Sequence, residues 1–457
     1  MIKNKKALIE AATGNRDREA RRLVLDALES ALKSANPRVI LRRLITLEDN
    51  TLKVDDLSLD LGSGEIYVIG GGKGSGAMAE ALEEILGDRI SAGIVNVLKG
   101  TRDTFRTKAI ELNEGAHPIP DHRGMEGTEK MLELAREAKR EDILICIISG
   151  GGSALMPLPK KGVTLEQKQE VNEALLKCGA TINEFNAVRK HLSDFKGGQL
   201  AQEGRDKRIL SLILSDVVGD PLDVIASGPT APDTSTFSDA VEVLRNYGLF
   251  RRTPKAVREV LLRGEKGEIP ETPKPGDTIF NKVNNLVVGN NRMVALKACE
   301  SLRNNGLNTF LLSSFIEGEA RHVGRVFAGI AQEEALYDTP LPKPAAVVGG
   351  GETTVMVTGQ GRGGRNQELV LSACRKMSGL DGVTLASIGT DGVDGVTDAA
   401  GAIVDGRTYR WASEKGHLPT RYLRDNDSYG FFERVGGAIK TGPTATNLND
   451  LIILVAL

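Results

Sequence analysis

The sequence predicts an α/β fold, with parallel sheets covered by helices on both faces and more than one domain. Three observations predict it. The chain has 457 residues, and a single hydrophobic core stops growing beyond ~250–300 residues, so two or three domains are expected. Short apolar strands alternate with helical segments of about 10–15 residues, the pattern of a parallel sheet. Glycine numbers 52, above the usual ~7%, and is placed where strands end.

The elements follow in order. The first sixty residues read as helical, with Leu23, Leu25, Leu28 and Leu32 near helical spacing among Arg and Glu. Strand 65–70 (EIYVIG) leads into helix 77–86. Strand 92–98, helix 125–140 and the strongly apolar strand 142–149 (DILICIIS) come next. Helices at 165–178 and 184–194 precede a buried strand at 208–215 (RILSLILS). Segment 264–277 carries three prolines and several charges and reads as a linker. The alternation resumes with strand 285–288, helix 291–305, strand 309–313, helix 317–336 and strand 345–348. A strand at 383–388 and the terminal run 451–457 (LIILVAL) complete it. The boundary falls between 247 and 281, which divides the chain into an N-terminal domain of 1–250 and a C-terminal domain of 251–457.

Composition narrows the function. Lys and Arg total 59 against 61 Asp and Glu, a net charge of −2, which argues against a basic nucleic-acid stripe or a polybasic membrane anchor. One Trp, six Tyr and eleven Phe make a poor platform for stacking bases. Cys146, Cys178, Cys299 and Cys374 are too far apart for CxxC and read as reduced core thiols. The N-terminus is charged throughout, and no apolar run nears the ~18 residues of a membrane span. The expectation is a cytoplasmic protein with a small-molecule substrate, no nucleic-acid or membrane partner, and any metal held by oxygen. A homodimer is left open.

Three apolar strands run into a triple glycine: Gly70-Gly71-Gly72-Lys73-Gly74-Ser75-Gly76, Ser149-Gly150-Gly151-Gly152-Ser153 and Gly349-Gly350-Gly351-Glu352. At the carboxyl end of a parallel strand, with a helix following, such a loop makes an anion cradle from backbone N–H groups. The known nucleotide fingerprints fail. Gly72-Lys73 is followed by Gly74, so a Walker A loop is absent. Gly72-x-Gly74-x-x-Ala77 approaches a dinucleotide fingerprint, but the next strand ends Asn96-Val97-Leu98-Lys99, without the ribose-binding acid. No Gly-x-Ser-x-Gly elbow surrounds Ser149 or Ser153.

The charged residues supply the rest. Lys73 stands in the first glycine loop as a point charge for a phosphate or carboxylate. Arg189, Lys190, His191 and Lys196 cluster in one segment, and Arg362 and Arg365 lie between glycines at a helix start, suited to a bidentate grip. Asp216, Asp220 and Asp223 follow a buried strand, and Asp391 and Asp394 follow another. Acids so placed suit Mg²⁺ in phosphoryl transfer or a general base for a hydroxyl, although Asp-Gly is also turn chemistry.

These pieces resemble the class II glycerate kinases, whose C-terminal part is called the MOFRL domain. The similarity is carried by Gly71-Gly-Lys-Gly-Ser-Gly-Ala-Met-Ala79, His117-Pro-Ile-Pro-Asp121, Ser149-Gly-Gly-Gly-Ser153 and Asn186-Ala-Val-Arg-Lys-His-Leu-Ser. It continues through Lys196-Gly-Gly-Gln-Leu-Ala, Leu214-Ser-Asp-Val-Val-Gly-Asp220, Gly363-Gly-Arg-Asn-Gln-Glu368, Gly389-Thr-Asp-Gly-Val-Asp-Gly395 and Gly442-Pro-Thr-Ala-Thr-Asn-Leu-Asn-Asp450. The blocks run in order from about residue 70 to the end. One departure is Gly74-Ser75, where alanines are common.

The resemblance implies two α/β domains, a Rossmann-like N-terminal sheet, a MOFRL region at about 343–457 and an active-site cleft between domains. It implies ATP-dependent phosphorylation of D-glycerate with Mg²⁺, to 2-phosphoglycerate as in archaeal members. Lys73 matches the family's substrate-contacting lysine and Arg365 its cleft arginine. By position, Asp216 is a candidate base and metal ligand, and Asp391 a candidate metal ligand. Gly71, Gly72, Ser149, Gly151, Gly152, Ser153, Arg189 and Asn366 are candidate substrate or phosphate contacts. A dinucleotide-dependent hydroxy-acid dehydrogenase and a non-catalytic sugar-acid sensor are the alternatives.

Overall fold

Ile143–Ile148 is buried at all six positions, so it must be a strand covered on both faces. In the computed structural model, which describes residues 1–457, it is the centre of a six-stranded sheet. The strands are β1 (Ile66–Gly71), β2 (Ile90–Leu98), β3 (Ile110–Gly115), β4 (Ile143–Ile148), β5 (Arg208–Leu214) and β6 (Val283–Gly289). Their spatial order is β3-β2-β1-β4-β5-β6. Strand β1 pairs parallel with both β2 and β4, and the β2–β3 and β4–β5 pairs are parallel too. This is the doubly wound nucleotide-binding order, and its direction reverses between β1 and β4. Gly71 is paired with Ile148, so the two glycine loops leave the sheet side by side at that reversal.

Helices cover this sheet. Met131, Leu132, Phe195 and Leu200 close over Ile69, Ile94, Leu144 and Ile148. A second apolar layer joins the helices Leu165–Lys177, Ile182–His191, Phe237–Asn246 and Lys255–Glu265. Thr164, Thr181 and Thr236 start the first three of these with capping boxes, each satisfying two orphan N–H groups.

The chain forms two units, Ile40–Val288 and Met1–Val39 with Gly289–Leu457. The division expected near residue 250 therefore lies at 288/289, and the first 39 residues belong with the C-terminal part rather than the N-terminal one. The reason is in helix Asn15–Ser34. Its Arg21 makes a buried ion pair with Asp405 at 2.8 Å, and Asp17 accepts the Gly382 N–H at 2.9 Å. Periodicity marks the helix's apolar face but not which sheet covers it. Segment 264–277 is likewise no linker: Glu271 holds His191 at 3.0 Å and Thr272 donates to Asp233 at 2.9 Å. The first sixty residues are not wholly helical either. Ile45–Glu48, Thr51–Val54 and Leu57–Asp60 form an antiparallel meander whose turns place Asp49 and Asp55 at positive φ.

The second unit has a mixed sheet of β7 (Asn308–Glu319), β8 (Ala345–Thr354), β9 (Val383–Gly389), β10 (Gly401–Asp405), β11 (Ala438–Ile439) and β12 (Asp450–Ala456). Their order is β7-β8-β12-β9-β10-β11, and only the β7–β8 pair is parallel. Here the third triple glycine departs from expectation. Gly349–Gly351 lies inside β8, paired with β7 on one side and β12 on the other. A Cβ on Gly350 would fall 1.9 Å from Asn291 Oδ1, so these glycines serve close packing, not an open cradle.

Candidate active site

The first two glycine loops interlock. The Lys73 N–H donates to the Gly150 carbonyl at 2.8 Å, and the Gly74 N–H donates to Ser149 Oγ at 2.9 Å. A Cβ on Gly72 would lie 2.2 Å from Ser149 Oγ. The Ser149 hydroxyl is thus held inside the loop pair. Ser153 Oγ sits 2.8 Å from Ser227 Oγ, which donates to Asn186 Oδ1 at 3.0 Å. Ala226 and Ser227 both take positive φ, a conformation non-glycine residues adopt at some cost and often near functional sites. Ala226 packs on the second loop, where a Cβ at Gly152 would come within 2.9 Å of it.

Side chains converge on the same loops. A Cβ at Gly150 would meet Asp216 Oδ2 at 2.2 Å, and one at Gly151 would meet His117 Cδ2 at 3.0 Å and Lys73 Cγ at 3.3 Å. Burial, aided by the charge of Lys73, pushes the His117 imidazole down to about 4, so it is neutral at pH 7. Beyond Gly151 and Ser153 opens a cavity of about 720 Å³, lined among others by His117, Lys168, Arg189 and Lys196, by Ile119, Leu176 and Phe185, and by Glu166, Glu170 and Glu173. Arg189 lies over the Phe185 ring, 4.1 Å from its centroid. Burial lowers its pKa to about 10. Burial and the neighbouring cations lower Lys168 to about 7 and Lys196 well below the usual lysine value.

The second unit has a cavity of a different character, about 750 Å³, lined by Thr353, Arg365, Asn366, Asp391, Asp394 and Asp450 among others. Arg365 is engaged on both sides. Its Nη1 meets Glu352 at 2.6 Å and its Nε meets Asp450 at 2.7 Å. Burial pulls the Arg365 pKa down, but the two carboxylates outweigh it and leave it raised. Burial lifts the Asp450 carboxyl to about 7 despite Arg365 and Asn366. Asn366 donates to Asp394 at 3.2 Å and to Asp450 at 3.0 Å, and its carbonyl oxygen accepts from Ser387 at 2.5 Å. Asp394 caps helix Arg365–Cys374, accepting the N–H groups of Asn366 and Gln367 at 3.1 and 2.9 Å. Asp391 is half-buried and accepts the Val393 N–H at 3.1 Å.

Among the sequence-predicted residues, Lys73, Ser149, Gly151, Gly152, Ser153 and Asp216 gather around the paired loops of the first unit, with Arg189 farther along its cavity. Arg365, Asn366 and Asp391 gather in the second. Sequence reasoning passed over Lys168. It quoted His117, Glu352 and Asp450 within motifs but gave them no role.

Known proteins match this arrangement. The model of a domain of unknown function, DUF4147, matches residues 23–262, and the MOFRL family model matches 345–450. A D-glycerate 2-kinase from Thermotoga maritima is 44% identical over 85% of this chain and 90% of its own length. The chain belongs to the glycerate kinase family. A glycerate 2-kinase from Pyrococcus horikoshii is 38% identical over 96% of this chain and 97% of its own. A crystal structure of glycerate kinase from Thermotoga maritima superposes with a TM-score of 0.86 at 40% identity, covering 95% of this chain and 99% of that one. A relative from Agrobacterium vitis, 37% identical over 95% of this chain and 94% of its own, carries the provisional name hydroxypyruvate reductase. Membership of a kinase family entails nucleotide use and a small-molecule substrate. No helix is long and apolar enough to cross a membrane.

Proposed function

We propose that this protein is a glycerate 2-kinase, transferring the γ-phosphoryl group of ATP to the C2 hydroxyl of D-glycerate. The observation that carries this reading is the 44% identity to a D-glycerate 2-kinase across 90% of that protein's length. In the reaction the hydroxyl oxygen forms a bond to the γ-phosphorus as the bond to the β,γ-bridging oxygen breaks. ADP leaves, and the hydroxyl proton passes to a base.

Phosphoryl transfer asks mainly for positioning and charge stabilisation. Lys73, half-buried on the loop beside Gly151, is positioned to hold a carboxylate or phosphate of the reactants. Asp216, pressed against Gly150, is the proposed base. Gly71, Gly72, Gly151 and Gly152 hold the loop backbone around Lys73, and Ser149 acts by locking that loop. Ser153 and Arg189 offer a hydroxyl and a charge to the substrates. In the second unit Arg365 and Asn366 are the proposed contacts, and Arg365 acts as part of a network with Glu352 and Asp450 rather than as a free cation.

Mg²⁺ usually needs only one or two carboxylates besides phosphate oxygens and water. No group of three or more acidic, His or Cys side chains has a metal-holding geometry. The half-buried carboxylates of Asp216 in the first unit and Asp391 in the second each fit the sparser requirement, and each is a proposed ligand of the ion within its own unit. When bound, it neutralises phosphate charge.

Coupling the product to enolase without phosphoglycerate mutase tests the reading. 2-Phosphoglycerate is consumed at once; a signal that needs mutase assigns the C3 hydroxyl as acceptor. The hydroxypyruvate reductase name of one relative supports a second reading, a dinucleotide-dependent reductase. Against it, β2 ends in Leu98 and continues into Lys99, with no acid for the ribose. NAD(P)H oxidation by hydroxypyruvate would revive it.

A further inference from the structure

The sheet of the second unit ends on an open strand. Strand β7 is outermost and pairs with β8 on one side only. An edge strand carries a row of backbone N–H and C=O groups without ladder partners, and proteins blunt such edges by shortness, charge or proline. Two other edges follow that rule: β11 is two residues long and buried, and β3 carries Glu111 and Glu114 among its six residues. Strand β7 runs for 12 residues, has no Lys, Arg or Pro, and carries acids only near its end, at Glu317 and Glu319. Phe310, Leu312 and Phe315 stand 42%, 38% and 62% exposed along it.

The surface beside this edge is apolar too. Phe310 is in register with Val347, which shares a core with Phe327 of helix Ala320–Tyr337, so Phe310 lies on the sheet face that this helix covers. One flank of the helix turns inward, toward helix Arg365–Cys374 over β9 and β10. A Cβ at Gly324 would lie 2.0 Å from the Leu369 carbonyl oxygen, Arg321 donates to Glu368 at 2.8 Å, and Gln332 donates to the Lys376 carbonyl at 3.2 Å. At about 100° per residue, Val323, Val326, Ile330 and Tyr337 fall on the opposite flank, toward the sheet edge. Val326 and Tyr337 are exposed there, and apolar side chains grouped in solvent mark a contact surface.

The charges at the two ends of the edge say what covers it. Arg303 is exposed at the start, donating to the Thr309 carbonyl at 3.2 Å, and Glu317 is exposed at the end. A second copy alongside in the same direction would set like charge against like. A copy related by a two-fold axis near Ser313, midway between 309 and 317, runs antiparallel and sets Arg303 of each copy near Glu317 of the other. The same axis lays the two helices flank to flank on one face of the joined sheet. Register shifts between Leu311 and Ile316 leave a short ladder, so the apolar flanks carry most of the area. We propose that two copies of the chain meet at this edge, as a two-fold dimer with β7 antiparallel to β7. A stable interface takes roughly 20–30 residues a side, the scale of this strand and flank together.

The test is sedimentation equilibrium of the full 48.9 kDa chain, with amide hydrogen exchange at several concentrations. The wild type should dimerise with a Kd of about 1 µM or tighter. Phe310→Glu, at an exposed position, should weaken the dimer about thirtyfold or more, the scale of a central interface residue. Arg303→Glu should weaken it about fivefold, and adding Glu317→Arg to that variant should restore it. Amides of 308–316 should exchange more slowly as wild-type concentration rises, a local signal that needs no variant. A chain that stays monomeric at about 100 µM, a hundredfold above that Kd, overturns the proposal. So does a dimer that Phe310→Glu leaves unchanged and whose β7 amides exchange at a rate independent of concentration, since the copies then meet elsewhere. A double charge swap that restores nothing overturns the antiparallel arrangement.

Discussion

The two cavities are close in volume, about 720 and 750 Å³, yet they handle charge in opposite ways. In the first unit Lys168, Arg189 and Lys196 are supported by carbonyls and an aromatic ring, with no acid in contact. In the second, Arg365 is clamped by Glu352 and Asp450, and Asp394 is consumed by a helix cap. A cation that already has two carboxylates has little left for an incoming phosphate. The lysines held only by carbonyls are free of that competition, although burial lowers Lys168 to about 7 and Lys196 well below the usual lysine value. On the proposed function, the Arg365 network is suited to orienting groups and holding protons.

The largest expected effect separates the two directly. Lys73→Ala should cut kcat/KM by about a hundred- to thousandfold, the scale of losing one preorganised charge-stabilising group. Its melting temperature should match the wild type, because the side chain is half-buried and has no ion pair. Removing Lys73 also takes away one cause of the low His117 pKa, so the His117 titration followed by NMR should move up from about 4. A folded Lys73→Ala enzyme with near-normal kcat/KM would remove Lys73 from the site.

Arg365→Lys should cost less activity and more stability. The guanidinium reaches Glu352 and Asp450 at once, and an ammonium can satisfy one of them well. Leaving buried Asp450 under-paired should lower stability by about 1–3 kcal/mol, read in thermal unfolding, with about a tenfold or greater fall in kcat/KM. If the lysine variant keeps its stability and loses activity completely, Arg365 acts on substrate independently of its Glu352 and Asp450 clamp, and the contrast between the cavities breaks down.

Much of this was legible in the sequence. The run 142–149 was readable because a strand apolar at every position has few alternatives, and the observed strand is Ile143–Ile148. The loops around Lys73 and Ser149 were readable because glycine, lysine and small residues at a strand end have a specific chemistry. Gly349–Gly351 shows the limit. Glycines that end a strand and glycines inside one look the same until Ile316 and Asn291 are seen pressed against them. Asp394 could be a turn, a ligand or a cap, and only the Asn366 and Gln367 N–H groups decide it. Lys168 was hidden for a related reason. On helix Leu165–Lys177 it resembles the solvated Lys177, and its burial depends on Leu192, distant in sequence.

The smallest effect tests whether that burial is costly. Lys168 lies near 7 in the fold against 10.5 when free. Above pH 10.5 both states are neutral at this site. Between 10.5 and about 7 the unfolded chain binds the proton and the fold does not, so stability falls as pH drops through that window. Below about 7 both bind it, and the full penalty persists. Lys168→Met removes the penalty while preserving the buried stem. The Leu192 carbonyl is not orphaned, since the Lys160 N–H also donates to it at 3.1 Å. The variant should therefore melt higher than wild type at pH 6.5, by about 2–4 °C per kcal/mol recovered, and the gain should shrink toward zero by pH 10. A pH-independent difference would mean the folded protein carries no charge penalty at Lys168. The first cavity would then be no more strained by its cations than the second is by its paired Arg365.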